Sequence, residues 1–364
     1  MINDELLSKT INCLRFPLIV GIVFLHNHME TVNIQGHIIK FDTWPWMSLI
    51  MKLFSDVLAA VCVPLFFFIS GFLFFYRTRF THETYMQKIK RRYHTLFVPY
   101  VIWNFIGFII LLIELHPYLS SLFPLLNRYQ VNIETFLSYF WIAELPVSMN
   151  GPSNPIDTPL WFVRDLMVLG ILAPLVYWLI RRTGIFVIIL LGAIWFFRLG
   201  KDFGLPSLSH QSVFFFPLGA YFSINRINIA TAANKVRYLF ITYIAWIIAD
   251  LCTGVQPYGE WVHKAGIMVG MVTMIQVSAA VVERSKAEKC ISLGRTSFFI
   301  FALHNLFIGK LMKVIVMVVR PQSPLLVLSI YFFVPVVTIL TCIYLYKMLN
   351  KYLPHVADVV TGGR

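Results

Sequence analysis

Arg15 and His26 are the residues with chemistry to offer in the first apolar stretch, Ile11 to His28, which reads INCLRFPLIVGIVFLHNH. The stretch is apolar enough, and about long enough, to cross a bilayer. An ionisable side chain at the centre of such a span costs about 2.5–3.5 kcal/mol on insertion scales, and it usually faces a protein interior or a water-filled cavity. Eleven positions separate the two residues. At ~1.5 Å rise and ~100° per residue they stand roughly 16 Å apart on nearly the same helix face. A fixed positive charge would sit near one membrane surface. An imidazole, which exchanges protons near neutrality, would lie three turns deeper. The structural alternative is an Arg15 that snorkels to the cytoplasmic interface as a topology anchor, with His26 as an interfacial polar residue.

Other segments carry polar groups in apolar settings. Ser70 and Gly71 interrupt the aromatic run PLFFFISGFLFF and offer a small surface to a packing helix or to a ligand. The segment YMQKIKRRYHTLFVPY holds the densest basic cluster, Lys88, Lys90, Arg91 and Arg92. Such a cluster serves as a positive-inside anchor or anionic-lipid patch, or as a phosphate site. In TPLWFVRDLM, Trp161 and Arg164 are i,i+3 neighbours with Asp165 adjacent, which suits a structural ion pair or a guanidinium ready for an anionic or carbonyl group. SLGRTSFFIFALHNL contributes a second intramembrane histidine. There Ser297 and His304, seven residues apart, share a face. A lone His in such a place serves as a hydrogen-bonded packing residue or as a catalyst. Asp250 lies near the outer end of another run with no evident partner.

These side chains must be positioned by membrane-crossing helices. The chain has 364 residues, 58% hydrophobic, 16% aromatic and 13% charged, whereas a soluble domain is about 25% charged. Apolar runs fall at about 11–28, 57–76, 94–115, 159–180, 184–198, 210–225, 236–253, 263–282, 291–309 and 322–346. The expected fold is therefore all-α: a polytopic helix bundle of about ten spans, one integral membrane domain over 1–364. With the N-terminus inside, connections on the inner side hold twice the Lys and Arg of those outside, so both termini are expected to be cytoplasmic. The net charge of +13 follows from that bias, and no zinc-finger spacing or basic-aromatic module supports nucleic-acid binding. The five cysteines form no CxxC pair and read as buried free thiols. No His/Asp/Glu group has metal-ligand spacing. The N-terminus lacks a basic n-region and cleavage site, so no signal peptide is expected. The long connection 116–158, ending in MNGPSNPIDTP, covers an acceptor site or packs over the bundle.

The pieces together resemble the membrane-bound acyltransferase family 3, bacterial O-acyltransferases of surface glycans. The resemblance rests on Arg15…His26, on Pro64 to Gly71, on Lys88 to Arg92 followed by Pro99, Tyr100 and Trp103, on Leu160 to Arg164, and on Leu293 to His304. Their order and spacing over nearly 300 residues carry more than any one of them. The family's Arg-x-x-Arg appears here only as Lys88-Ile-Lys-Arg91 or Arg91-Arg-Tyr-His94, which leaves open which side chains meet the donor.

The resemblance implies an inner-membrane enzyme with acyl-coenzyme A, acetyl above all, as co-substrate, and no permanently bound cofactor. The acceptor it implies is a glycan or lipid-linked saccharide hydroxyl. In that reading His26 is the general base. Arg15 and the Lys88–Arg92 cluster hold the coenzyme's phosphates, while Ser70, Trp161, Arg164, Ser297 and His304 stand near the acceptor or the oxyanion. The competing class is a glycan or lipid transporter of the same fold, which has no reason to bind acetyl-coenzyme A. Surrounding lipid is the other partner, and the oligomeric state is not read from the sequence.

Overall fold

The computed structural model describes residues 2–27, 29–34, 37–41, 44–77, 79–116, 140–141, 155–199, 208–236, 238–254, 256 and 258–363. His28 and most of the connection 116–158 lie outside them. The apolar runs form helices because a backbone in hydrocarbon must satisfy its own hydrogen bonds.

In chain order the first elements are α1 (Ile2–Leu25), a hairpin of β1 (Thr31–Ile34) and β2 (His37–Lys40), and α2 (Pro45–Lys52). A short wide turn and a tight one carry α2 into α3 (Cys62–Phe75). Then come α4 (His82–Arg92), α5 (Val98–Glu114), α6 (Trp161–Ile171), α7 (Ala173–Thr183) and α8 (Ile185–Phe197). They are followed by α9 (His210–Ile224), α10 (Ile229–Lys235), α11 (Leu239–Thr253), α12 (Gly259–Glu283) and α13 (Glu288–Gly294). The last three are α14 (Ser297–Val319), α15 (Pro324–Tyr352) and α16 (Pro354–Thr361).

Six continuous helices are long and apolar enough to cross a membrane, and two bent pairs raise the figure to eight among the described residues. The chain is a multi-pass helical membrane protein. The expected count of ten is not confirmed: the runs at 184–198 and 210–225 form short helices, and those at 159–180 and 236–253 each belong to a bent pair. Helices α8 and α9, of 13 and 15 residues, rise only about 20–23 Å against a hydrocarbon core of about 30 Å. The expected run 159–180 is instead a pair, α6 and α7, bent by 63°. Pro174 at the start of α7 lacks the N–H that would continue the ladder. The basic cluster also differs from a loop. It lies on α4, which buries no residue and runs on through a wide turn into α5 as one helix, His82–Glu114.

The chain forms two compact units, each assembled from separated segments. The first holds residues 1–25, 52–91 and 165–297. Its glycines mark where backbones touch. A Cβ on Gly71 would strike the carbonyl of Phe216, and one on Gly219 would strike the carbonyl of Phe68, so α3 and α9 are in reciprocal contact. Gly294 does the same for α13 against α1, where a Cβ would stand 2.9 Å from the Asn12 carbonyl and 3.6 Å from Cβ of Arg15. One turn earlier the Cys290 thiol donates to the Cys13 carbonyl at 2.9 Å. Asp250, without a partner in sequence, meets Nδ1 of His263 at 2.7 Å.

The second unit holds residues 26–51, 92–164 and 298–364. Trp103 on α5 donates from its indole to the Val360 carbonyl at 2.9 Å and packs edge-on against Phe299. Asn104 donates to the Tyr100 carbonyl at 2.8 Å and accepts from the Asp157 amide at 3.2 Å. The Pro-Tyr…Trp-Asn segment of α5 is thus tied into this unit through backbone groups.

Candidate active site

His26 follows directly on the last turn of α1, and His304 sits on α14. Their ring centroids are 5.2 Å apart and the rings are tilted by 51°. His304 is fully buried. Its Nδ1 lies 2.8 Å from the Phe301 carbonyl and 3.0 Å from the Ile300 carbonyl. Carbonyls only accept, so Nδ1 carries the proton, and in the neutral ring Nε2 is left with a bare lone pair. That Nε2 is buried with no hydrogen-bond partner among the described residues. Neutral His304 therefore offers an acceptor, not a donor.

His26 and Asn27 line a cavity of about 160 Å³ together with Val32 from β1 and Met312 and Lys313 from α14. Asn27 is 2% exposed. Its amide N–H donates to the Tyr331 carbonyl at 2.8 Å, while its Oδ1 has no partner among the described residues. Tyr331, itself fully buried, donates its hydroxyl to the Met51 carbonyl at 3.2 Å.

A second polar group stands in the same unit. Asp157 is fully buried just before α6, and neither of its carboxylate oxygens has a hydrogen bond among the described residues. Burial pushes its carboxyl well above the usual carboxylate range, against the weaker pull of Lys310. Lys310 on α14 is paired with Glu114 at 2.7 Å. Arg164, 1% exposed, donates to the Trp141 carbonyl at 2.8 Å, with its guanidinium 5.9 Å from that indole's centre.

Of the residues singled out in the sequence, His26, Arg92, Trp161, Arg164 and His304 belong to this second unit, and His26 and His304 meet. Arg15, Ser70, Lys88, Lys90, Arg91 and Ser297 belong to the first. There Arg15 lies on α1 beside Gly294. Ser70 precedes Gly71, whose close contact with the Phe216 carbonyl is one of packing. Lys88 donates to the Phe74 carbonyl at 2.6 Å, while Lys90 and Arg91 are exposed. The Oγ of Ser297 is buried with no partner among the described residues.

Sequence reasoning missed Asn27, Asp157, Glu114 and Lys310. For Asn27 a signal existed: the tripeptide Leu-His-Asn occurs twice, at 25–27 and at 303–305, and both of its histidines are the ones that meet. Asp157 lay in a segment that reads as turn formers, with nothing to mark it as buried.

The helices define a multi-pass membrane protein, and the paired imidazoles beside a cavity suit the handling of a proton. The acyltransferase domain of family 3 matches residues 8–347, and the chain belongs to that family of acyltransferases. Over 372 aligned positions, 99% of this chain and 94% of the relative, it is 24% identical to the succinoglycan biosynthesis protein ExoH of Rhizobium meliloti (strain 1021). No solved structure matches.

Proposed function

We propose that the chain is an O-acyltransferase of the cell envelope, one functional domain over 1–364 with both termini cytoplasmic. It moves an acyl group, acetyl in the simplest case, from acyl-coenzyme A to a hydroxyl of a glycan or of its lipid-linked precursor. The observation that carries this reading is the His26–His304 contact beside a cavity, in a chain of the acyltransferase family. The similarity to a succinoglycan biosynthesis protein supports the glycan side.

A hydroxyl is a poor nucleophile until its proton is removed. His26 takes that proton as the hydroxyl oxygen bonds to the thioester carbonyl carbon. The tetrahedral intermediate collapses, the C–S bond breaks, and the leaving thiolate takes the proton back from the imidazolium. His26 thereby returns to its starting state. His304 acts on His26 and not on the substrate, its Nε2 receiving the second N–H of the charged ring. Arg15 and the Lys88, Lys90, Arg91 and Arg92 segment supply cations for the donor's phosphates, the groups that polyanions recruit.

The test is transfer of labelled acetyl from acetyl-coenzyme A to lipid-linked glycan by protein in nanodiscs, wild type beside His26→Ala. Loss of transfer with the fold intact is expected. Transfer near the wild-type rate by His26→Ala ends the assignment of the base.

A further inference from the structure

Gly309 leaves a gap in α14 that neither packing nor backbone conformation accounts for. The residue lies in the interior of the helix Ser297–Val319, where glycine is destabilising relative to alanine. Its backbone is not left-handed. At Gly71 and Gly294 a Cβ would strike a carbonyl of another helix, whereas a Cβ built on Gly309 meets nothing within 4 Å.

The gap opens inward. At about 100° per residue, Met312 and Val316 lie within about 60° of Gly309 around the helix, and both are buried. Val314 and Val318, 55% and 77% exposed, lie about 140° and 180° away from it. The open space is therefore on the protein side of α14, where Gly309 lines the same cavity as His26. A cavity of about 150 Å³ takes one benzene ring, so one of about 160 Å³ has room for about six carbons. Val32, Ile308 and Met312 wall it with hydrocarbon. A saccharide pressed against them would leave hydroxyls without partners, a cost that an alkyl chain does not carry. Lys313, the charged residue at the cavity, has the Glu114 carboxylate as a neighbouring counter-charge.

We infer that this cavity receives the alkyl tail of the donor's acyl group, and that the missing side chain at Gly309 sets how long the tail can be. The inference rests on the acyl-transfer reading. There the thioester carbonyl carbon reacts at His26, and the tail bonded to it must lie in the space beside that residue. The favoured donors carry chains of about four to six carbons, with acetyl the shortest that the site takes. Gly309 determines specificity and touches no reacting atom.

The test uses full-length protein in nanodiscs with acetyl-, butyryl-, hexanoyl-, octanoyl- and succinyl-coenzyme A. Binding is read by isothermal titration, with empty nanodiscs as the blank, and acyl transfer to lipid-linked glycan is read separately. Burying one methylene is worth roughly fourfold in affinity. Butyryl-coenzyme A therefore binds the wild type roughly tenfold tighter than acetyl-coenzyme A, and the gain stops near hexanoyl. In Gly309→Leu the butyryl advantage falls below about twofold, because the side chain fills the space of the tail. Gly309→Ala suits the helix better than glycine, and its added methyl lowers the hexanoyl-to-acetyl ratio about fourfold.

Equal affinity of the wild type for acetyl and butyryl donors overturns the inference. So does a chain-length ratio that neither variant changes. Succinyl-coenzyme A binding tighter than butyryl-coenzyme A, its equal in length, sets a carboxylate against Lys313 and overturns the alkyl tail. Chain-length selection that depends on Gly309, without transfer of any acyl group, defeats the proposed reaction and leaves the pocket standing. Acetyl transfer without chain-length selection does the reverse. A wild type that binds no acyl-coenzyme A removes both.

Discussion

Replacing His304 tests the imidazole pair directly. When His26 takes a proton it becomes a cation with two N–H groups, one of which held the substrate's proton. The other needs an acceptor. On the proposed mechanism Nε2 of His304 is that acceptor, its own Nδ1–H being committed to the Phe301 and Ile300 carbonyls at 2.8 and 3.0 Å. The ring centroids are 5.2 Å apart and the rings are tilted by 51°, so the two imidazoles are in contact. A hydrogen bond to a charged group is worth about 1.5–3 kcal/mol. At about 1.4 kcal/mol per tenfold in rate, His304→Phe lowers kcat roughly 10- to 150-fold with KM nearly unchanged. His304→Gln places an oxygen near the former Nε2 and recovers most of the loss, to within about tenfold of wild type. The assay is steady-state acetyl transfer, with size-exclusion profile and melting temperature as controls of the fold. The reasoning is refuted if His304→Phe keeps more than half of the wild-type kcat. Equal loss in the Phe and Gln variants also refutes it, because the acceptor then plays no part.

Two more predictions address other parts of the chain. Gly71→Ala drives a methyl into the Phe216 carbonyl and forces α3 and α9 apart, with a cost of about 1–3 kcal/mol or more; melting in detergent should fall by several degrees, and an unchanged melt would mean the helices do not touch there. Asp157→Asn removes a carboxyl whose pKa burial pushes well above the usual carboxylate range. A carboxyl whose pKa is raised on folding contributes most below its unfolded pKa, and that stability is lost as pH rises toward its folded one. The gain from Asn should therefore be larger at neutral pH than in acid, and a gain independent of pH would refute the assignment.

Hydropathy made the helices legible, because the demand that spans be apolar and self-bonded acts on every residue in them. What it could not show was how runs divide. The expected span 159–180 bends by 63° next to Pro174, and 184–198 and 210–225 form helices of only 13 and 15 residues. Apolarity measures a segment's compatibility with lipid, and length and bending depend on what it packs against. The same divide holds at the site. Intramembrane Arg and His were conspicuous because their burial is costly. Gly71 and Gly294 could be seen as small, but the carbonyls they admit, Phe216 and Asn12, belong to distant stretches of chain. Asp157 escaped notice because nothing local distinguishes a buried carboxyl from one in a turn, whereas the repeated Leu-His-Asn was the one mark that Asn27 carried.

The buried groups left unsatisfied also predict where stability and activity part. Asn27 Oδ1, His304 Nε2 and both Asp157 oxygens lie without hydrogen-bond partners among the described residues of one compact unit. Each such atom costs about 1–3 kcal/mol of desolvation. A fold under selection for stability alone would not keep them, and functional sites commonly hold such a cost. His304→Phe removes the unpaired nitrogen and retains an aromatic ring among Phe301 and its neighbours. The two carbonyls released from Nδ1 belong to the interior of α14, where the helix ladder already uses them. The variant should therefore melt at or above the wild-type temperature while its transfer rate falls. A variant that melts several degrees lower while losing activity would make His304 a packing residue, and the rate loss would then report a disturbed site in place of a missing proton acceptor.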